Sequence, residues 1–355
     1  MTSTSLTGGT LTDMVKAYTE GGWKADAAVL DALATVNKPA DQEAVNTAIA
    51  YVYKPWLRDA AELFQKRVSE SPLPGREKPR IDAVPPGTCV LFADGLRYDV
   101  GQKFLAMLAG RVGEIQPSHH FVALPSVTPT SKPAVSPVAG KIKGTVAGEE
   151  FRPCVAHDGK DLTPDRFRKL LANDGVQYLA NHDVGDPSGK AWTEFGNLDS
   201  TGHNEGSGMA RRIPELLSTL VLRVESLLEA GWKEVRVVTD HGWLLVPGGM
   251  PKVELPAYLV ATKWARCASV RGESTTAVPT FAWHWNAHAR VASPPGIGSF
   301  VVNTEYAHGG VSLQECVVPE MLVEQGEMAL KAHITEISWR GMRCRVVVET
   351  NAIGL

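Results

Sequence analysis

The sequence predicts an α/β protein built on a mostly parallel sheet flanked by helices, with a small helical N-terminal region and the start of a C-terminal β region. Two apolar runs of strand length, TCVLFA (Thr88 to Ala93) and EVRVVT (Glu234 to Thr239), each lead straight into an aspartate and a glycine-containing loop. Such continuous runs suit strands covered on both faces. Helix-compatible stretches separate the strand-like runs, and that alternation calls for parallel strands joined by crossover helices.

Residues 1–72 form the helical N-terminal region, in which Ile49, Val52, Trp56, Ala60 and Leu63 recur at spacings of three and four. Pro55 is expected to kink it. Residues 73–87 are rich in proline and charge and lack periodicity, as a linker does. The main domain spans 88–328. Within it the pattern predicts a strand from Thr88 to Ala93, a helix from Arg97 to Leu108, a strand from Phe121 to Leu124, and a helical stretch after Thr128. Further on come a helix from Thr163 to Asn173, a strand from Val176 to Leu179, a long amphipathic helix from Gly208 to Ala230, and the strand from Glu234 to Thr239. Gly140 to Leu162 and Asn181 to Asn197 are polar and rich in glycine and proline, so they are expected as loops over a site. Residues 329–355 form a β segment, read from strand-like His333 to Glu349, and the abrupt end suggests a fragment of a longer protein.

With 355 residues, 44% apolar and 21% charged, the chain has the composition of a soluble globular protein. A net charge of -3 gives no basic footprint for nucleic acid. The five cysteines, Cys89, Cys154, Cys267, Cys316 and Cys344, are scattered and never form a CxxC pair, so they read as reduced, small core residues. The N-terminus lacks the features of a signal peptide, and no stretch approaches the roughly 18 apolar residues of a membrane span. The expectation is a cytoplasmic protein without a membrane partner.

Acidic and histidine residues gather just after predicted strands or in adjoining loops. They are Asp94 in ADGLRYD, Asp199 and His203 in LDSTGHNEG, Asp240 and His241 in TDHGW, and His308 in EYAHGG. Three imidazoles with three carboxylates suit zinc first, with manganese or magnesium as alternatives. Asp199 and His203 lie four apart, so one helical turn would present both on one face. Asp240 and His241 are adjacent and can share a site only where the strand opens into a loop, a bend the following glycine would permit.

Taken in order, DGLRYD, PSVTPTSKPA, DSTGH, TDHG and YAHGG resemble the PglZ family, a branch of the alkaline-phosphatase superfamily, and within it the PglZ component of BREX phage-defence systems. The resemblance runs from about Pro86 to Glu324 and implies an alkaline-phosphatase-like fold with two divalent ions. It implies that Asp94, Asp240, His241 and Thr128 bind one ion while Asp199, His203 and His308 bind the other. It also implies Thr128 as the nucleophile, activated by bound metal and by the positive end of a helix, with Thr130 as second choice. No cofactor other than metal is expected.

The function so implied is a metal-dependent phosphoesterase, foremost a phosphodiesterase acting on nucleic acid or nucleotides, in bacterial antiphage defence alongside other defence-system proteins. Alternatives are a phosphomonoesterase or phosphomutase with the same site, or a metal-bound interaction module of a defence complex. Other polar residues have plainer readings. Arg97 is expected to pair with Asp99 or another carboxylate of the fold, Arg211 and Arg212 to face solvent, and the aromatic-flanked His284 and His288 to belong to a packed layer. Lys132, His119 and His120 stay outside the catalytic set.

Overall fold

The computed structural model describes residues 9–36, 38–75, 81, 84–145, 150–256, 260–271, 277–326, 332–341 and 343–350. A six-stranded sheet lies at its centre, with strands in the spatial order Ile115–Phe121, Val317–Glu324, Glu234–Val238, Thr88–Phe92, Lys190–Glu194 and Val176–Leu179. Val317–Glu324 runs antiparallel to both neighbours, and every other pairing is parallel. The fold is therefore the mixed α/β, mostly parallel sheet that the alternating pattern predicts.

The central strand shows why its sequence is a continuous apolar run. All of Thr88–Phe92 is buried. Cys89 and Leu91 point into the larger core, formed with the helices Trp23–Ala34, Tyr98–Leu108 and Ile213–Glu229. Val90 and Phe92 pack on the opposite face, against Phe167, Leu170 and Leu171 of Pro164–Asn173. Both faces are covered, so no position alternates to polar.

The N-terminal helices Leu11–Ala17, Trp23–Ala34 and Pro39–Glu70 begin on a capping box between Thr10 and Asp13. Pro55 lies inside the third helix, which continues across it. Leu30, Leu33, Tyr53 and Leu57 share the larger core with Val100 and Phe104, so these helices pack against the sheet layer. In the expected linker, Ile81 and Val84 are buried with Val90 and Phe92, whereas 76–80, 82 and 83 lie outside the described residues.

Several expectations need correction. Lys190–Glu194, expected within a loop, is an interior strand of the sheet, pairing Trp192 with Val90 on one side and Tyr178 on the other. The strand expected at Phe121 to Leu124 lies earlier, at Ile115–Phe121, on the sheet edge, where exposed polar residues conceal it. The helix expected from Gly208 starts as a tight 3₁₀ segment, Gly206–Arg211, and becomes α-helical at Ile213–Glu229. Four cysteines are buried as expected, but Cys344 is exposed.

A separate antiparallel sheet joins Thr280–Trp283, Asn286–Ala292, Ala268–Val270 and Val260–Lys263. The strands read between His333 and Glu349 are a two-stranded ribbon, Ala332–Arg340 with Arg343–Thr350. No helix among the described residues is long and apolar enough to cross a membrane.

Candidate metal centre

The site forms where strand ends meet. Asp94 follows Thr88–Phe92, Asp240 and His241 follow Glu234–Val238, and Asp199 with His203 sit on Leu198–Glu205, shortly after Lys190–Glu194. These three strands are parallel, so their carboxyl ends open on the same edge of the sheet. Thr128 opens the helix Thr128–Ala134, and His308 follows the short strand Tyr306–Ala307. All seven residues converge.

Asp94 Oδ1 lies 3.4 Å from His241 Nε2, and Asp240 Oδ2 lies 3.6 Å from the same nitrogen. Asp199 places one oxygen 3.5 Å from His203 Nε2 and the other 3.5 Å from His308 Nε2. The Nε2 atoms of His203 and His308 are 3.1 Å apart. Asp94, Asp240 and His241 form one group with ligand-atom spacing suited to a cation, and Asp199, His241 and His308 form another. His241 thus borders both. The helix Leu198–Glu205 carries the expected i,i+4 pair.

Hydrogen bonds to the backbone orient two of the imidazoles. His241 Nδ1 is 3.0 Å from the Gly242 carbonyl, and His308 Nδ1 is 2.9 Å from the Ser126 carbonyl. A carbonyl only accepts, so each Nδ1 carries a proton and Nε2 is the ring nitrogen turned to the cluster. The two rings stack with centroids 3.7 Å apart and an interplanar angle of 5°. Burial, then the neighbouring His241, pushes His308 down to about 4, so it is neutral near pH 7.

The carboxylates lack the partners their burial demands. Asp94 Oδ1 and both oxygens of Asp240 are buried without a hydrogen-bond partner. Burial raises Asp94 well above the ordinary carboxylate range, and repulsion from Asp240 adds to this. Burial and then Asp199 raise Asp240 to about 7. The Thr128 hydroxyl offsets part of that rise, although it makes no hydrogen bond of normal geometry to Asp240. Asp199, despite burial, is held below the usual range by His308, His241 and His203 and by the Tyr306 hydroxyl, which donates to it at 2.9 Å. Orphaned carboxylate oxygens facing bare imidazole nitrogens are a donor set that fits divalent cations.

Four hydroxyls crowd PSVTPTSKPA, and their contacts separate them. Ser126 Oγ donates to the Gly310 carbonyl, and Ser131 Oγ donates to that of Ala123. Thr130 Oγ1 donates to the Phe151 carbonyl and accepts from Trp283 Nε1. Thr128 Oγ1 instead lies 3.3 Å from His241 Nε2, inside the cluster. The helix cap is Val127, so the helix begins on Thr128 itself, one residue earlier than the stretch after Thr128 that the sequence suggests, with Pro129 second.

Two glycines are required by close approach. Gly95 adopts φ +70°, and a Cβ there would lie 3.0 Å from Asp199 Cβ. Gly242 has a different role from the bend anticipated for it, because a Cβ would come within 2.0 Å of the Gln314 carbonyl oxygen. The loop after Asp240 is thereby seated on the 313–316 helix, with Gly242 N donating to the Glu315 carbonyl at 3.1 Å.

Arg97 forms the expected pair with Asp99, through bonds of 2.6 and 2.8 Å, and its guanidinium lies 3.7 Å from the Trp243 ring centroid. It is buried and structural. Lys132 bonds Glu194, His120 is buried beside Glu320 in the edge strand, and Arg212 pairs with Glu205 and Glu215 at the surface. Arg211 departs from a purely solvated role by donating to the Val36 carbonyl.

The aromatic layer around His284 is a brace for the helix Thr128–Ala134: Trp283 and Trp285 both donate to Thr130, at 3.0 and 2.9 Å. His288 is exposed. Sequence reasoning missed this brace and the role of Tyr306, although the tyrosine lies within the motif EYAHGG, two residues before His308.

No family model matches the chain, and no curated protein matches it in sequence. Among solved structures, murine ectonucleotide pyrophosphatase / phosphodiesterase 5 superposes with a TM-score of 0.41 and 12% identity, covering 67% of this chain and 87% of its own. An inactive form of the same protein in complex with AMP gives the same values.

Proposed function

We propose that the protein is a metal-dependent phosphoesterase of the alkaline-phosphatase type, foremost a phosphodiesterase, with Thr128 as its nucleophile. The observation that carries this reading is the meeting of bare imidazole nitrogens with unpartnered, buried carboxylates around the one hydroxyl of its segment that faces them. Asp94, Asp240 and His241 would hold one ion, with Thr128 beside them, and Asp199, His203 and His308 the other. Zinc suits the donors best. Divalent ions held there would neutralise phosphoryl charge and favour the ionised hydroxyl.

The chain's own groups prepare the rest. Thr128 sits at the first turn of its helix, where the backbone favours negative charge, and the brace through Thr130 holds that turn. Thr128 Oγ1 lies 3.3 Å from His241 Nε2, so an ion held through that nitrogen would lie beside the hydroxyl. Tyr306 fixes Asp199. Placement in a BREX-like defence system, with other defence proteins as partners, rests on the motif series resembling PglZ, as does nucleic acid as substrate.

The test combines zinc content with rates on bis-p-nitrophenyl phosphate and p-nitrophenyl phosphate. Thr128→Ala is expected to keep its metal and lose turnover by at least about a thousandfold, as removal of a covalent nucleophile does. Full activity in that variant sinks the mechanism. A monoester rate equal to or above the diester rate replaces the phosphodiesterase reading with a phosphomonoesterase.

A further inference from the structure

We propose that the cavity beside Thr128 is a subsite for a second phosphate of the substrate, held by Arg152 and Arg168. This rests on the phosphoesterase reading above. The cavity, of about 400 Å³, is lined by Thr128, Lys132, Arg152, Arg168, Tyr178 and Glu194, among others. That volume is in the range of small-ligand pockets and exceeds the needs of one phosphate.

Its charge is not balanced internally. Lys132 bonds Glu194, whose other oxygen accepts from Trp192 Nε1 at 3.2 Å, so this acid and base cancel. The two guanidinium groups remain. Arg152 pairs with Glu150, but Glu150 is 62% exposed, and surface pairs of this kind contribute only about 0 to 1 kcal/mol. A phosphate can replace that partner. Arg168 lies 4.8 Å from the Tyr178 ring centroid, a contact that uses its face rather than its N–H groups, and the nearby exposed Asp165 is bridged to Lys169 instead.

Position assigns these arginines to a group other than the one being attacked. Thr128 and Lys132 are four apart on one short helix and both border the cavity, whereas the Thr128 hydroxyl itself faces His241. The attacked phosphorus must therefore meet the Asp and His cluster, which includes neither Arg152 nor Arg168. On the Asp94 side a second cavity, of about 860 Å³, offers room for the other arm of a diester, and Glu194 borders both spaces. The ligand chemistry is an ester whose arm over Thr128 bears a further phosphate, either the next link of a nucleic-acid strand or the terminal phosphate of a nucleoside polyphosphate.

The experiment compares p-nitrophenyl thymidine 5′-phosphate with the same ester carrying a 3′-phosphate, on zinc-loaded wild type, Arg168→Gln and the Arg152→Gln/Arg168→Gln double variant. Calorimetric binding of thymidine 3′,5′-bisphosphate and thymidine 5′-diphosphate accompanies it. Wild type is expected to favour the 3′-phosphorylated ester by at least tenfold in kcat/KM, and the double variant to lose that preference and bind the bisphosphate at least tenfold more weakly. Equal kcat/KM for the two esters in wild type, or a preference that survives in the double variant, overturns the subsite. Tighter binding of the bisphosphate than of the diphosphate supports the strand, and the reverse supports the polyphosphate. If wild type cleaves neither ester yet binds bisphosphate through these arginines, the subsite stands and the phosphoesterase reading falls.

Discussion

Replacing Asp240 by asparagine should stabilise the metal-free protein and destabilise the metal-loaded one. Asp240 is fully buried, its oxygens have no hydrogen-bond partner, and burial with Asp199 nearby raises its pKa from the ordinary 3.8 to about 7. At about 1.4 kcal/mol per pH unit, holding it ionised above neutral pH costs up to about 4 kcal/mol when no cation is present. Because the folded-state pKa is the higher one, this favourable linkage is fully present below about pH 4 and is lost as pH rises through about 7. Asparagine removes the charge while keeping the shape. Thermal unfolding at pH 8 in chelator should therefore show Asp240→Asn more stable than wild type by about 2 to 4 kcal/mol. Adding zinc should reverse the order, since a ligand at a thousand times its Kd contributes about 4 kcal/mol to wild type, and the variant has lost a ligand. A variant less stable than wild type in chelator, with zinc leaving both unchanged, refutes the argument that these carboxylates await a cation.

Gly242→Ala should cost about 2 kcal/mol or more, as overpacking against backbone does, because the new Cβ meets the Gln314 carbonyl; a melting temperature within a degree of wild type contradicts this. Arg97→Lys should destabilise by about 3 kcal/mol, since a lysine cannot keep both bonds to buried Asp99 or the stack on Trp243, and urea titration measures it. Asp26, raised to about 6 mainly by burial, contributes stability that is complete below about pH 4 and lost as pH rises through about 6. Asp26→Asn should flatten that slope in the zinc-loaded protein, and an unchanged stability profile between pH 4 and 7 counts against it.

Much of the site is legible in sequence because its residues sit at strand ends, where a short apolar run stops on an aspartate. Asp94 and Asp240 announce themselves in that way, and the spacing of Asp199 and His203 survives as a helical turn. Thr128 and Thr130 are a different case. Both are hydroxyls in one seven-residue helix, and only contacts from distant Trp283 and Phe151 reveal which one is structural. Lys190–Glu194 escaped notice because a strand buried between two others still begins with lysine and ends with glutamate. Ile115–Phe121 escaped because an edge strand with exposed Gln116, Pro117, Ser118 and His119 has no apolar run to display.

The antiparallel strand Val317–Glu324 has a consequence for the order in which the protein is synthesised. It is inserted between Ile115–Phe121 and Glu234–Val238, two strands that leave the ribosome long before it. Until it arrives, Glu234–Val238 presents an open edge, and the early strand at 115–121 has no place in the sheet. Buried Asp26 waits as well, because Gln314, which donates to both its oxygens at 3.3 and 3.2 Å, lies just ahead of the same strand. His308 precedes it too. The emergence of about residue 324 is thus the moment at which the sheet closes, the N-terminal helices are tied to the site, and the cluster first has all its Asp and His side chains in place. Nascent chains arrested short of that point should be readily digested by protease and fail to retain zinc, and chains extended beyond it should resist the one and hold the other.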